Sequence, residues 1–275
     1  MKSLMNLIPV SDPADPMVQA FRDVKERDLT GRQGMFVAEG EVVLNVLTSP
    51  ASQCEPVAVL IAEKRLEALT PVLSHLGEGV PIYLAGQAVL DQIAGFHLHR
   101  GILALGRKPQ PRSLDEFLEG LPEQAVLVGA CGIGNHDNMG GIFRNAAAFG
   151  AQGLLLDTTC CDPFYRKAIR VSVGAVLRTP FVDGLVTSDM VDQLQARGFE
   201  VLALTPSADQ ELSRYQSGKR TVILLGSEGP GLPQSVISRC RPIGIRMSGG
   251  FDSLNVAATS AVALHQITAN LPNLE

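Results

Sequence analysis

The side chains best suited to chemistry in this 275-residue chain lie on or beside three glycine-bearing segments. These are residues 131–141 (CGIGNHDNMGG), 226–232 (GSEGPGL) and 248–255 (SGGFDSLN). They carry Asn138, Glu228, Ser253 and Asn255, and Arg144 follows the first of them. Amide, carboxylate, hydroxyl and guanidinium groups in such a set can orient a polar ligand, hold an anion and accept a proton. Two familiar phosphate-binding patterns are excluded. A dinucleotide fingerprint needs a third glycine three positions after Gly134, where Asp137 stands, and a P-loop needs Gly-Lys-Ser/Thr, which 226–232 lacks. The glycines let the backbone turn tightly and approach a ligand. Any one segment alone reads as an ordinary turn. No Ser-His-Asp triad is arguable. His97 and His99 alternate like a metal pair, but no third ligand stands at a plausible spacing, so no metal is expected.

The elements that must position these segments follow from periodicity. In the second half, strands are expected over 125–130, 153–157, 199–205, 221–226 and 243–247. Helices are expected over 113–120, 139–149, 166–177, 188–197 and about 253–270, the last with Asp252 or Ser253 as N-cap. Each chemical segment then begins at the C-terminal end of a strand, where open α/β sheets bind ligands. The first half alternates in the same way, with strands over 35–38, 56–62, 80–84 and 101–105 and helices over 41–47, 63–76 and 87–93. That pattern predicts a small α/β domain with a largely parallel sheet. The sequence GRKPQPR at 106–112 reads as an exposed linker. The expected division is a first domain over 1–108, a linker over 109–122 and a second domain over 123–275.

Composition is that of a globular protein: 45% hydrophobic and 19% charged residues, with no Trp. The formal net charge of −5 counts against a generally nucleic-acid-binding surface, but not against a local patch. Arg100, Arg107, Lys108 and Arg112 lie in a stretch, 92–114, without an acid, and Arg166, Lys167, Arg170 and Arg178 form a second basic run. Either run alone reads equally well as a solvated surface. Five cysteines, an odd number with no C-x-x-C, fit a reduced cytoplasmic protein. No signal peptide and no membrane span are expected.

Taken together, the three segments resemble the SpoU/TrmH family of RNA ribose methyltransferases, part of the SPOUT class. The first family motif is matched by Asn138, Gly140, Gly141, Ile142, Arg144, Asn145 and Ala146. The second is matched by Gly226, Ser227, Glu228 and Gly229, and the third by Ile245, Met247, Ser253, Leu254, Asn255 and Val256. Order and spacing agree across roughly 126–270. Gly141 stands for the usual Ala or Ser, Asn145 for Thr or Ser, Arg246 where Pro is frequent, and Ala257 for a common Ser. The pattern at Arg27, Gly31, Arg32, Phe36, Glu39 and Gly40 is similar, less specifically, to a ribosomal-protein-like RNA-binding domain that precedes many such catalytic domains.

The resemblance implies an α/β fold whose second domain is a trefoil-knotted SPOUT domain with a parallel sheet, and a homodimer acting on tRNA or rRNA. It implies S-adenosylmethionine as cofactor, contacted by Gly226, Ile245 and Leu254 largely through backbone groups, with Leu204, Gly229, Met247 and Ser253 completing that site. It implies Arg144, Asn138, Glu228, Ser253 and Asn255 as the catalytic set. A guanidinium stays protonated in proteins, so Arg144 is read as clamping a phosphate and stabilising alkoxide charge rather than as a base. Either the phosphate or Glu228 takes the proton. Asn138, six positions earlier on the same helix, orients Arg144 or the ribose, and Ser253 and Asn255 bond cofactor, loops or RNA. Asn138 and Ser253 are also natural helix caps. His97 and His99 are read as structural or RNA-facing. Two alternatives stay open: a non-catalytic RNA-binding or ribosome-associated factor, and methylation of a base.

Overall fold

The computed structural model describes residues 5–22, 33–248 and 253–269. Arg27, Gly31, Arg32 and Asp252 of the sequence reading lie outside them. By backbone proximity the chain divides into two compact units, 1–110 with 164–178, and 111–163 with 179–275.

The second unit is built on six parallel strands: β6 (Ala125–Ala130), β7 (Gly153–Asp157), β8 (Phe181–Leu185), β9 (Glu200–Leu204), β10 (Arg220–Leu225) and β11 (Arg241–Ile243). Their order is β11-β9-β10-β6-β7-β8. The chain steps outward from β6 to β8, then crosses to the other side of β6 for β9 and β10. This reversal beside β6 is the kind of switch point at which open parallel sheets bind ligands. β6, β7, β9 and β10 are almost wholly buried. They therefore read as continuous apolar runs rather than as alternation. One face, through Leu127, Leu155, Val201 and Val222, packs with Leu114, Phe117 and Leu118 of α4 (Leu114–Glu119) and with Met190, Val191 and Leu194 of α7 (Thr187–Ala196). Two longer helices, α5 (His136–Ala148) and α9 (Val256–Thr268), pack on each other and touch β7 and β10 respectively. A short helix, α8 (Gln234–Ile237), precedes β11.

The first unit holds β1 (Asn6–Val10), β2 (Met35–Glu39), β3 (Glu55–Ala62), β4 (Pro81–Ala85) and β5 (Ile102–Arg107) in the order β1-β4-β3-β5-β2. Its helices are α1 (Glu41–Leu47), α2 (Leu66–Leu73), α3 (Gln87–Ala94) and, from the later segment, α6 (Arg166–Val171). Phe164 stacks on Phe36 with ring centroids 5.1 Å apart, and α6 packs on β2.

Several sequence expectations are corrected. The first sheet is mixed, because β5 runs antiparallel to both β3 and β2. β1 was not anticipated; it is an edge strand, where Pro9 is tolerated. β8, also at an edge, is half exposed and so lacks an apolar signature. β5 extends to Arg107, and Gly106 is part of it rather than of a linker: a Cβ there would lie 2.3 Å from the Phe36 ring. The helix expected over 63–76 begins as a 3-10 turn (Glu63–Arg65) and ends at Leu73. The helix expected over 166–177 breaks after Val171, where Val173 and Gly174 take positive φ, and resumes as the 3-10 turn Ala175–Leu177. The strand expected over 243–247 is instead Arg241–Ile243.

Candidate active site

β10 ends at Leu225 and the chain turns at once. A Cβ on Gly226 would lie 2.4 Å from the carbonyl carbon of Gly231 and the nitrogen of Leu232, so only glycine allows the 226–232 loop to close on itself. The closure is held by the Gly231 amide donating to the Ser227 carbonyl at 3.1 Å, and Gly229 and Gly231 both adopt positive φ. This fold-back displays Glu228 at the loop's exposed outer side.

The first segment meets the second directly. Gly132, at φ +72°, sits where a Cβ would be 3.0 Å from Cβ of Ser227. Asp157, at the end of β7, braces that segment: its carboxylate accepts from the Gly132 amide at 3.1 Å, from the Thr159 amide and hydroxyl at 3.0 and 2.8 Å, and from the Thr187 hydroxyl at 3.3 Å. Burial works to raise this aspartate's pKa, but the hydrogen bonds from Gly132 and Thr159 outweigh it and the net shift is downward. α5 then starts at His136, capped by Asn135, whose side-chain oxygen accepts from the Asp137 and Asn138 amides. α9 is capped in the same manner by Asn255, which accepts from the Ala257 and Ala258 amides. The two caps are thus Asn135 and Asn255. Asn138 and Ser253, read from sequence as natural caps, are respectively inside the first turn of α5 and outside α9. Asn135 lacked only recognition, for an asparagine followed by an acid in the first turn is a known helix-start signal.

Freed from capping, the Asn138 side chain, 5% exposed, joins the other two segments. Its amide nitrogen donates to Glu228 Oε1, and its oxygen accepts from Asn255 Nδ2 at 2.8 Å. One buried amide therefore ties together residues 90 and 117 positions away. Asn145 continues the α5–α9 seam by donating to the Ala257 carbonyl at 2.7 Å and to the buried Ser260 hydroxyl at 2.9 Å.

Beside this junction lies a cavity of about 730 Å³. Leu204, Gly226, Gly229, Ile245, Met247, Ser253 and Leu254, the residues expected to hold a cofactor, all line it, as do Glu228 and Asn255. Ile245 and Met247 can do so because the strand stops at Ile243 and frees them from the sheet. The sequence reading missed Thr205, which also lines the cavity and stands next to Leu204. The volume falls within the range of small-molecule sites, and the lining joins Leu204, Ile245, Met247 and Leu254 to glycine backbone that no Cβ obstructs. An adenosine-bearing ligand needs that combination of apolar walls for a purine and open backbone groups for its polar atoms.

Arg144 is placed differently. It is exposed on α5, is not in the cavity lining, and has no hydrogen bond or ion pair among the described residues. Its guanidinium is therefore not joined to the Asn138 network within one chain; of the two roles expected for Asn138, orienting Arg144 or the ribose, no contact here supports the first. Among the described residues no group of three or more His, Cys, Asp or Glu is placed to hold a metal ion. None of their helices is long and apolar enough to cross a membrane.

The sequence profile of the SpoU rRNA Methylase family matches residues 125–265. An uncharacterised tRNA/rRNA methyltransferase of Mycobacterium tuberculosis is 37% identical over 270 residues, covering 94% of this chain and 91% of its own length. Among solved structures, an AdoMet-bound rRNA methyltransferase from Sinorhizobium meliloti superposes with a TM-score of 0.79 at 22% identity, covering 98% of this chain and 100% of its own. An RNA 2′-O ribose methyltransferase superposes with a TM-score of 0.78 at 24% identity, covering 96% of this chain and 99% of its own. These two likenesses establish the fold over nearly the whole length.

Proposed function

The chain belongs to the SpoU rRNA Methylase family, and from that premise we propose that it transfers a methyl group from S-adenosylmethionine to a ribose 2′-hydroxyl of a structured RNA, acting as a homodimer. The observation that carries this reading is the junction at Asn138: three segments far apart in sequence meet through Glu228 and Asn255 on the rim of one cavity. The names of the two structural relatives, one AdoMet-bound and one a ribose methyltransferase, agree with it.

The cofactor supplies an electrophilic methyl on a sulfonium, and the protein supplies position and electrostatics. In this reading Leu204, Ile245, Met247 and Leu254 hold the purine and its ribose. Gly226 and Gly229 offer backbone groups, with Ser253 adding its hydroxyl. Asn138 fixes one carboxylate oxygen of Glu228 and leaves Oε2 without a partner among the described residues. That oxygen and the RNA phosphate are the two acceptors for the 2′-hydroxyl proton. Arg144 clamps the phosphate and stabilises charge developing on the attacking oxygen, a role its permanent charge suits and proton abstraction does not. Asn255 caps α9 and holds Asn138, so it positions the carboxylate indirectly.

The test is cofactor titration by calorimetry followed by transfer of labelled methyl to RNA from a strain lacking the protein, with nuclease digestion and mass spectrometry of the nucleosides. A 2′-O-methylnucleoside is expected. Cofactor binding with no transfer would favour a non-catalytic RNA-binding factor, and a methylated base would move the reaction off the sugar.

A further inference from the structure

Arg100 of the first basic run and Arg166 and Arg170 of the second, far apart in sequence, come together on the first unit around Glu39 and Gly40 at the end of β2. Arg166 and Arg170 reach Glu39 Oε2 at 3.6 and 3.9 Å. Arg100 lies against Gly40, with Nη1 3.2 Å from where a Cβ would be. Two guanidiniums thus pair with one carboxylate that is itself only 13% exposed, and a third lies against the next residue. Arg170 remains 52% exposed, and Arg100 is exposed with no ion pair among the described residues.

Beside them an aromatic ring is displayed. Phe96 is 38% exposed, and the Arg166 guanidinium lies over its ring 4.6 Å from the centroid. The loop carrying Phe96 is braced. Asp91 accepts from the Leu98 amide at 2.9 Å and from Gln87 at 2.8 Å, and it pairs with His97 at 2.7 Å. Leu98 is fully buried, and His99 meets the His97 ring edge-on. An exposed phenylalanine on a fixed loop loses little entropy when something covers it. A stacked guanidinium still points its N–H groups outward in its own plane.

We propose that Phe96, with Arg100, Arg166 and Arg170, forms a platform for an unpaired RNA segment, one base stacking on Phe96 while neighbouring phosphates meet the guanidiniums. An unpaired strand is the fitting occupant because only an unstacked base offers a free face to an aromatic ring, whereas a duplex keeps its base faces stacked inside. Glu39 is the positioning residue: its ion pairs hold Arg166 and Arg170 in place. The inference rests on the RNA substrate proposed above and adds where and in what form that RNA is gripped. It also gives the His97–Asp91 pair a role in bracing the loop.

The test is fluorescence anisotropy of a labelled single-stranded oligouridylate, and of an RNA duplex of equal length, with the full-length protein at two salt concentrations. Phe96→Ala is expected to weaken single-strand binding roughly five- to a hundredfold, the range for loss of one base–aromatic stack. Phe96→Tyr should restore it. Arg100→Ala and Arg170→Gln should each lower the salt slope by roughly 0.7, the amount for one phosphate contact on a single strand. Cofactor affinity, measured separately on the same proteins, should equal that of the wild type, so a failure of the methyl-transfer reading shows in that measurement alone. Equal oligouridylate affinity for wild type and Phe96→Ala, or tighter binding of the duplex than of the single strand, would overturn the platform.

Discussion

At the scale of single residues, the division of labour between Arg144 and Glu228 is open to direct measurement. Arg144→Ala removes a donor proposed to act on the transition state and nothing that lines the cavity. Cofactor affinity should therefore be kept while turnover falls at least ~10²-fold, a loss typical of a deleted transition-state donor. Near-normal turnover by the purified variant would refute the role. Glu228→Gln keeps a partner for Asn138 but cannot take up a proton. If the carboxylate is the acceptor, kcat should fall by a comparable factor with little change in KM; a change of less than about threefold would assign the proton to the phosphate. The cysteines belong at this scale too. All five are free, and burial pushes Cys54, Cys131 and Cys160 up to about 12 and Cys161 to about 11. Because the thiolate is the reactive form, the native protein at neutral pH should react slowly with a thiol reagent, and Cys54 and Cys131, which are buried, should become accessible only on denaturation. Rapid modification of Cys160 or Cys161 in the native protein would show that burial does not protect them.

At the scale of elements, the site depends on two seams. One is the contact between α5 and α9, where Gly141 faces Ala257 so closely that an added Cβ would lie 2.7 Å from the alanine methyl. These are two of the positions at which the chain departs from the family's residues, and the small pair lets the helices approach closely. Gly141→Ala gains up to ~1 kcal/mol in helix propensity. Overpacking costs about 1–3 kcal/mol, so the variant should melt lower than the wild type. A higher melting temperature in calorimetry would show that the helices can yield. The other seam is the Asp157 brace. Its folded pKa is depressed, so its contribution to stability is complete above the ordinary value of 3.8 and is lost as pH falls through the lower folded value. Asp157→Asn should lower stability at neutral pH by about 1.5–3 kcal/mol, the scale of hydrogen bonds to a charged group. The difference from wild type should shrink in the acid range below 3.8. A difference that stays constant with pH would mean the charge does not contribute.

At the scale of the whole molecule, the proposed homodimer should sediment at about twice the 29.3 kDa chain mass, and a monomer at working concentration would remove it from the reading. Much was already legible without coordinates. The buried strands β6, β7, β9 and β10 announced themselves as continuous apolar runs, and the glycine, asparagine and acidic residues that follow them marked the ends of those strands as the place for chemistry. Residue type and local period carry that information because each depends only on near neighbours. Which residue meets which was decided elsewhere. Asn138 as the bridge to Glu228 and Asn255, the escape of Ile245 and Met247 from the sheet, and the inclusion of 164–178 in the first unit follow from strand order and packing. So does the gathering of Arg100, Arg166 and Arg170 near Glu39, with Arg166 over Phe96. No spacing records which loop a segment threads, so the trefoil knot stays an expectation from the family resemblance. Contacts between distant segments are selected by the joint burial of surfaces that each look ordinary alone, and that sum exists only once the chain is folded.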